Sequence, residues 1–131
     1  MSHGLNKVMV IGHLGRDLEM RYTSNGKPAT SFSIAVNRNW ADKTGNQHNQ
    51  TEWFYVTTWD NLAEFCHQAL SKGKQAYVEG RLQTRRWTDA QGNERLRMEI
   101  VASEVIPLGE KSAGVEEPVD SAQTIEDFEE N

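Results

Sequence analysis

The sequence predicts an all-β fold: a small five-stranded Greek-key barrel with one helix between the third and fourth strands. Three observations predict it. Residues 29–38 and 51–59 alternate with the two-residue period of β-strands. Residues 62–72 instead place apolar side chains at helical spacing. Residues 75–88 and 94–106 flank a polar, glycine-containing turn and therefore predict a long hairpin.

The first third of the chain carries weaker strand signals. Residues 5–14 alternate loosely and form the first predicted strand, and residues 20–23 form a short extended piece. Asn25-Gly26 then predicts a turn, because this pair favours positive φ. The polar residues 39–50, after the second strand, are predicted to form a mobile loop.

The third predicted strand, residues 51–59, is rich in large side chains on both of its faces. One face carries Trp53, Tyr55, Thr57 and Trp59, and the other carries Phe54, Val56 and Thr58. A barrel interior can bury only one of these faces. The other face needs a partner, which is either nucleic-acid bases or a second subunit.

The predicted helix has one apolar stripe, formed by Leu62, Phe65, Cys66, Ala69 and Leu70. Asn61 is its predicted N-cap, and Gly73 is predicted to end it. Cys66 lies on the stripe, so we expect a buried small apolar residue and not a reactive thiol. A single cysteine also excludes an intramolecular disulfide and fits a reducing compartment.

The net charge of −5 is distributed unevenly along the 131 residues. Residues 1–109 hold 13 Lys and Arg against 11 Asp and Glu, whereas residues 110–131 hold 1 against 8. We therefore expect one barrel domain over 1–109 and a disordered acidic tail over 110–131, where no apolar periodicity is found. The sequence has no apolar run of membrane-spanning length and no signal peptide, which favours a cytoplasmic protein.

The sequence offers no pattern typical of catalysis or of a bound cofactor. The four histidines are scattered without ligand spacing, and with one cysteine they predict no metal site. No phosphate-cradling glycine loop, dinucleotide fingerprint or nucleophile elbow is found. We expect a binding protein and not an enzyme.

The four tryptophans lie among polar and cationic residues instead of aliphatic ones. Flat rings beside positive charge suit the stacking of bases with phosphates held alongside, although packing against a second subunit is the alternative. Trp87 also lies on the long hairpin, which carries a cluster of arginines: Arg81, Arg85, Arg86, Arg95 and Arg97. Such a cationic arm is suited to contact a phosphate chain.

The element order is that of the OB-fold, whose open face commonly binds single strands. The chain also resembles the bacterial single-stranded DNA-binding proteins in a series of ordered pieces over about residues 3–106. These are Asn6-Lys7-Val8, Gly12-His13-Leu14-Gly15-Arg16-Asp17, Arg21-Tyr22, Asn25-Gly26, Gln50-Thr51-Glu52-Trp53, Leu62-Ala63-Glu64, Lys72-Gly73, Val78-Glu79-Gly80-Arg81-Leu82 and Arg86-Trp87-Thr88-Asp89.

The resemblance implies an OB-fold, usually a homotetramer, that wraps single-stranded DNA during replication, recombination and repair. It implies base stacking on Trp40, Trp53, Trp59 and Trp87, and DNA contacts from the basic residues Lys7, Arg21, Lys72, Arg85 and Arg86. The family commonly ends in an acidic tip that closes in Pro-Phe. Here Ile125 and Phe128 keep the acidic, Phe-bearing character without a terminal Phe, and they are the candidate docking residues for replication and repair proteins.

Two alternatives remain open at this point. One is an OB-barrel assembly protein similar to primosomal replication proteins, which binds nucleic acid weakly. The other is a single-stranded RNA binder, because stacking alone does not distinguish the two nucleic acids.

Overall fold

A computed structural model describes residues 3–109, which form six β-strands and one α-helix. The elements in chain order are β1 (Val8–Leu14), β2 (Glu19–Tyr22), β3 (Pro28–Ala41), β4 (Gln47–Trp59), α1 (Asp60–Ala69), β5 (Gln75–Thr88) and β6 (Glu94–Gly109). The predicted tail, 110–131, with its candidate docking residues Ile125 and Phe128, lies outside the described residues.

The sheet closes on itself as a five-stranded barrel. Its strands follow the order β1-β5-β6-β4-β3, and β3 returns to β1 through the pairs His13–Ala35 and Leu14–Ile34. The short β2 pairs with β3 outside this ring, which leaves α1 between the third and fourth barrel strands. The predicted all-β barrel is therefore confirmed.

The barrel interior is filled by the alternate residues of each strand. Phe32, Ile34, Val56, Val78 and Ile100 are fully buried and form one cluster. The opposite faces of β3, β4 and β5 thus point outward, as the two-residue period requires. This alternation presents the rings of β4 on the outer surface of the barrel.

A glycine permits the closure between β1 and β3. A Cβ at Gly12 would lie 2.2 Å from the carbonyl oxygen of Ala35, closer than two such atoms can approach. The two strands can therefore cross only where one of them lacks a side chain.

The structure corrects the predicted loop at 39–50. Strands β3 and β4 continue through it as a two-stranded ribbon, paired as far as Ala41 and Gln47. The Asp42 carboxylate closes the turn, because its Oδ1 accepts the backbone N–H groups of Thr44 and Asn46, each at 2.9 Å. Polarity predicted a loop here, but a ribbon exposed on both faces also needs polar residues on both faces.

The helix is shifted relative to its prediction. It begins at Asp60 and not at residue 62, so the predicted cap Asn61 lies inside it, and Trp59 occupies the N-cap without a side-chain cap. It ends at Ala69 and not at residue 72, and Gly73 adopts a φ of 85° in the following turn. Within residues 3–109, no helix has the length and apolar character needed to cross a membrane.

Cys66 is fully buried, as its place on the apolar stripe predicted. Burial raises the pKa of its thiol to about 11, because the thiolate would lose its hydration. A hydrogen bond with Thr58 lowers the pKa and offsets this only in part. The side chain therefore behaves as a core residue.

Candidate nucleic-acid interface

Side chains from five strands surround a cavity of about 440 Å³ on the outer surface of the barrel. Trp59 and Thr57 come from β4, and Arg85 comes from the hairpin strand β5, which β6 separates from β4 in the sheet. The full lining is Arg21, Tyr22, Thr23, Ser24, Ala29, Ser31, Thr57, Trp59, Gln83, Arg85 and Glu99. The cavity thus combines aromatic rings, cations and hydroxyl groups, which are the groups that bind a nucleotide.

A second cavity, of about 400 Å³, opens between β4 and β6. These strands pair in parallel at only two described positions, Val56–Ile100 and Thr57–Val101, and then diverge. The residues around the gap are Trp53, Phe54, Tyr55, Leu82, Arg97, Met98, Glu99 and Ile100. Glu99 lines both cavities, so the two are neighbours on one surface.

Arg97 lies against two aromatic rings of this surface. Its guanidinium carbon is 4.4 Å from the centre of the Tyr55 ring and 5.0 Å from the centre of the Trp87 ring. Both distances are within the range of cation–π attraction. Trp87 is only 7% exposed, so this tryptophan is covered in the free chain while the other site tryptophans are more open.

A further aromatic cluster lies on the β3–β4 ribbon. Trp40 is 40% exposed and stacks on His48, its cross-strand partner, with ring centres 5.3 Å apart. The guanidinium of Arg38 lies 4.8 Å from the Trp40 ring centre. His48 also contacts Asp42 at 2.8 Å, and this contact is the main reason that the pKa of Asp42 falls to about 2.

The arginines of the β5–β6 hairpin differ in their surroundings. Arg85 lines the first cavity, and its Nη1 is 3.6 Å from Glu99 Oε2. Arg86 is exposed and points to the opposite side of the strand, because neighbouring residues of a strand alternate. Arg21, from β2, lines the first cavity on the side away from the hairpin.

No group of three or more His, Cys, Asp or Glu is placed to hold a metal ion within the described range 3–109.

The profile of the single-strand binding protein family matches residues 5–108, nearly all of the described barrel. The chain belongs to the single-strand binding protein family. This confirms the resemblance that the sequence pieces indicated.

Named members of the single-strand binding protein family are close in sequence. Single-stranded DNA-binding protein 1 of Chlorobaculum tepidum is 45% identical over 115 residues, which cover 87% of this chain and 71% of that protein. Single-stranded DNA-binding protein 1 of Xylella fastidiosa is 46% identical over 108 residues, or 82% of this chain and 79% of that protein.

Solved structures of the single-strand binding protein family share this fold. The Plasmodium falciparum SSB in complex with ssDNA superposes with a TM-score of 0.76 at 30% identity, covering 83% of this chain and 99% of that one. A deletion mutant of the single-stranded DNA binding protein from Thermus aquaticus gives a TM-score of 0.72 at 30% identity, covering 83% of this chain and 53% of that one.

The structure brings together five of the nine predicted DNA-contact residues of this family member. Trp53, Trp59, Arg21 and Arg85 line the two cavities, with Trp87 beside them under Arg97. Trp40 lies apart on the ribbon.

Lys7 and Lys72 lie elsewhere. The Lys7 ammonium pairs with Glu79 at 3.3 Å, and the backbone N–H of Lys72 donates to Asp17 at 2.7 Å in the turn after the helix.

Sequence reasoning did not select Arg38 and His48, which the geometry adds, and it placed Arg97 only in the arginine cluster of the hairpin, not over the aromatic rings. A usable signal existed for Arg38, since it is two residues from Trp40 on one strand and therefore on the same face. His48 and Arg97 depend on the pairing register of two hairpins. That register becomes visible only when the strands are placed.

Proposed function

We infer that this protein binds single-stranded DNA through base stacking and phosphate contacts, largely without regard to sequence. The observation that carries this proposal is the pair of adjoining cavities, where Trp53 and Trp59 lie beside Arg85 and Arg97. The family membership and the named relatives support it. Roles in replication, recombination and repair, and a cytoplasmic location, belong to the same proposal.

Duplex DNA provides the discriminating test. Paired bases hide their faces, so rings can stack only on an open strand. Binding of fluorescein-labelled dT oligomers, followed by anisotropy, should be tight, and binding of a duplex of matched length should be weak. Equal affinities would contradict the proposal. Competition with an RNA oligomer of the same sequence tests the RNA-binding alternative in the same assay.

We assign the stacking contacts to Trp40, Trp53, Trp59 and Trp87. The basic residues proposed to contact DNA are Lys7, Arg21, Lys72, Arg85 and Arg86. The cavity positions of Trp53, Trp59, Arg21 and Arg85 support their share of this assignment. Lys7 and Lys72 are consistent with it only if the DNA path continues beyond the cavities.

We propose that the protein assembles as a homotetramer. An apolar row supports an interface: Ile11, Tyr77 and Ile106 are neighbours across β1, β5 and β6, and both isoleucines are exposed. Leu5, Met9 and Leu108 are exposed as well. Isolated apolar residues are normal on a surface, but a contiguous apolar row favours contact with another chain. Light scattering that gives a monomer at micromolar concentration would contradict this.

We propose that the barrel domain over 1–109 is followed by an acidic segment, 110–131, that competes with DNA and docks replication and repair proteins. Its 8 acidic residues against 1 basic residue support the competition. Removing residues 111–131 should tighten DNA binding, most clearly at low salt. Phe128→Ala should weaken pull-down of such partners, and isotherms and pull-downs that stay unchanged would contradict both roles.

A further inference from the structure

A buried acid lies at the centre of the surface that we propose for DNA. Glu99 is only 4% exposed and lines both cavities. A carboxylate here repels phosphate and has lost most of its hydration, so it opposes binding of a polyanion unless it contacts another part of the nucleotide. A base edge, which offers N–H donors, is such a part.

The contacts of Glu99 fix its orientation without using all of its acceptor capacity. The Thr57 hydroxyl donates to Oε2 at 3.3 Å, and Arg85 Nη1 lies 3.6 Å from the same oxygen. A carboxylate can accept about four hydrogen bonds and a guanidinium can donate five. The carboxylate therefore keeps acceptor capacity for a ligand, and it lies beside the guanidinium of Arg85.

The order of hydrogen-bond donors and acceptors along the Arg85–Glu99 pair is complementary to the edge of one base. A guanidinium beside a carboxylate offers a donor followed by two acceptors. The Watson–Crick edge of guanine offers the complementary order: the O6 acceptor, then the N1–H and N2–H donors. Thymine has one donor between two acceptors, and neither cytosine nor adenine has two adjacent donors. Guanine alone satisfies both carboxylate oxygens at once.

We propose that Glu99 and Arg85 form a guanine-preferring subsite in the first cavity. This inference rests on the proposed function, since it places a base of bound DNA in that cavity. The cavity, at about 440 Å³, lies within the range of about 300–1,000 Å³ typical of small-ligand sites. Trp59 and Tyr22 supply rings at its wall, against which a base can stack. The protein then binds strands of any sequence, but its affinity is higher where a guanine can occupy this cavity.

Inosine provides the test, because it keeps the fused ring and O6 of guanine but lacks the N2 amino group. Two dT oligomers of equal length are compared, one with isolated guanines separated by thymines and one with inosine at the same positions. At a salt concentration that permits measurable dissociation, the wild-type protein should bind the guanine oligomer at least about fivefold more tightly. Since inosine retains the fused ring, stacking differences contribute little to this ratio.

Glu99→Gln should reduce the guanine-to-inosine ratio towards one, because a Gln side chain has only one acceptor oxygen. The matched control, Glu64→Gln, removes an exposed carboxylate from the helix and should leave the ratio unchanged. Equal binding of the two oligomers by the wild-type protein overturns the subsite even if Glu99→Gln fails to fold. A guanine preference that survives in Glu99→Gln also overturns it. Failure to bind pure dT would instead reject the proposed function.

Discussion

Replacing Arg97 with alanine separates the two roles that this side chain combines, as a cation and as a cover for aromatic rings. In the free chain its guanidinium contacts Tyr55 and Trp87, and Trp87 is almost fully buried. A base can stack on either ring only after the guanidinium moves away. The wild-type protein therefore loses two cation–π contacts on binding, which the alanine variant does not have to break.

The magnitudes of these effects predict that the dT affinities of the wild-type protein and of Arg97→Ala, plotted against salt concentration, cross. Two cation–π contacts, one at the half-buried Tyr55 ring and one at the buried Trp87 ring, are together worth at least about 1–2 kcal/mol, which corresponds to at least about 5- to 30-fold in affinity. Losing one phosphate contact reduces the slope of log affinity against log salt by about 0.7 for single strands. The variant should bind dT more weakly than the wild-type protein at low salt and more tightly at high salt.

Anisotropy with fluorescein-labelled dT oligomers, over a tenfold range of salt, measures this crossing without relying on tryptophan emission. Arg95→Ala is the matched control, since it removes a cation from the same face of β6 but one that pairs with Asp89 at 3.3 Å. That control should not bind more tightly at any salt concentration. The covering role would be refuted if the plots of log affinity against log salt were parallel for the wild-type protein and Arg97→Ala. It would also be refuted if the variant bound more weakly at every salt concentration.

Three further predictions concern single residues. Trp53→Ala should weaken DNA binding by roughly 1–3 kcal/mol with unchanged circular dichroism and mass, and loss of fold or assembly would identify the ring as structural. Gly12→Ala should destabilise the barrel by at least about 1–3 kcal/mol in urea unfolding, because its Cβ would overlap the Ala35 carbonyl; an unchanged midpoint would contradict this. The Cys66 thiol, whose pKa is raised to about 11, should react with Ellman's reagent far more slowly in the native than in the urea-unfolded protein at pH 8, where equal rates would exclude burial.

The raised pKa of Cys66 also makes the stability of the fold depend on pH. The folded chain holds the Cys66 proton more tightly than the unfolded chain, so this group stabilises the fold fully below its unfolded pKa. That contribution decreases as the pH rises from about 9 towards 11.

The barrel was predictable because its core obeys a simple period. Phe32 and Ile34 on β3, and Val56 on β4, lie where the two-residue alternation places them. The ribbon was not predictable in the same way, since neither of its faces is buried and no apolar alternation results. Its turn depends on the Asp42 carboxylate, a local contact that hydropathy does not report.

The candidate site was predicted by residue type but not by arrangement. The exposed ring of Trp40 and the covered ring of Trp87 have similar polar neighbours in the sequence. What distinguishes them is the strand register, which brings Arg97 from β6 close to Trp87 on β5. Which cation covers which ring is a property of pairing across strands, and no local pattern encodes it.

The β3–β4 ribbon places one of the rings that we propose for stacking, Trp40, on a part of the molecule that the hydrophobic core does not support. Beyond Val36 every residue of β3 is exposed, as are the first six residues of β4. A two-stranded hairpin alone is marginally stable in water, so the ribbon can open locally at little cost while the barrel stays closed. DNA that stacks on Trp40 must also hold the ribbon in place, and part of the stacking free energy is spent on that ordering. The same ring on the rigid barrel would bind more tightly, but it would adapt less readily to the varied paths of a flexible strand.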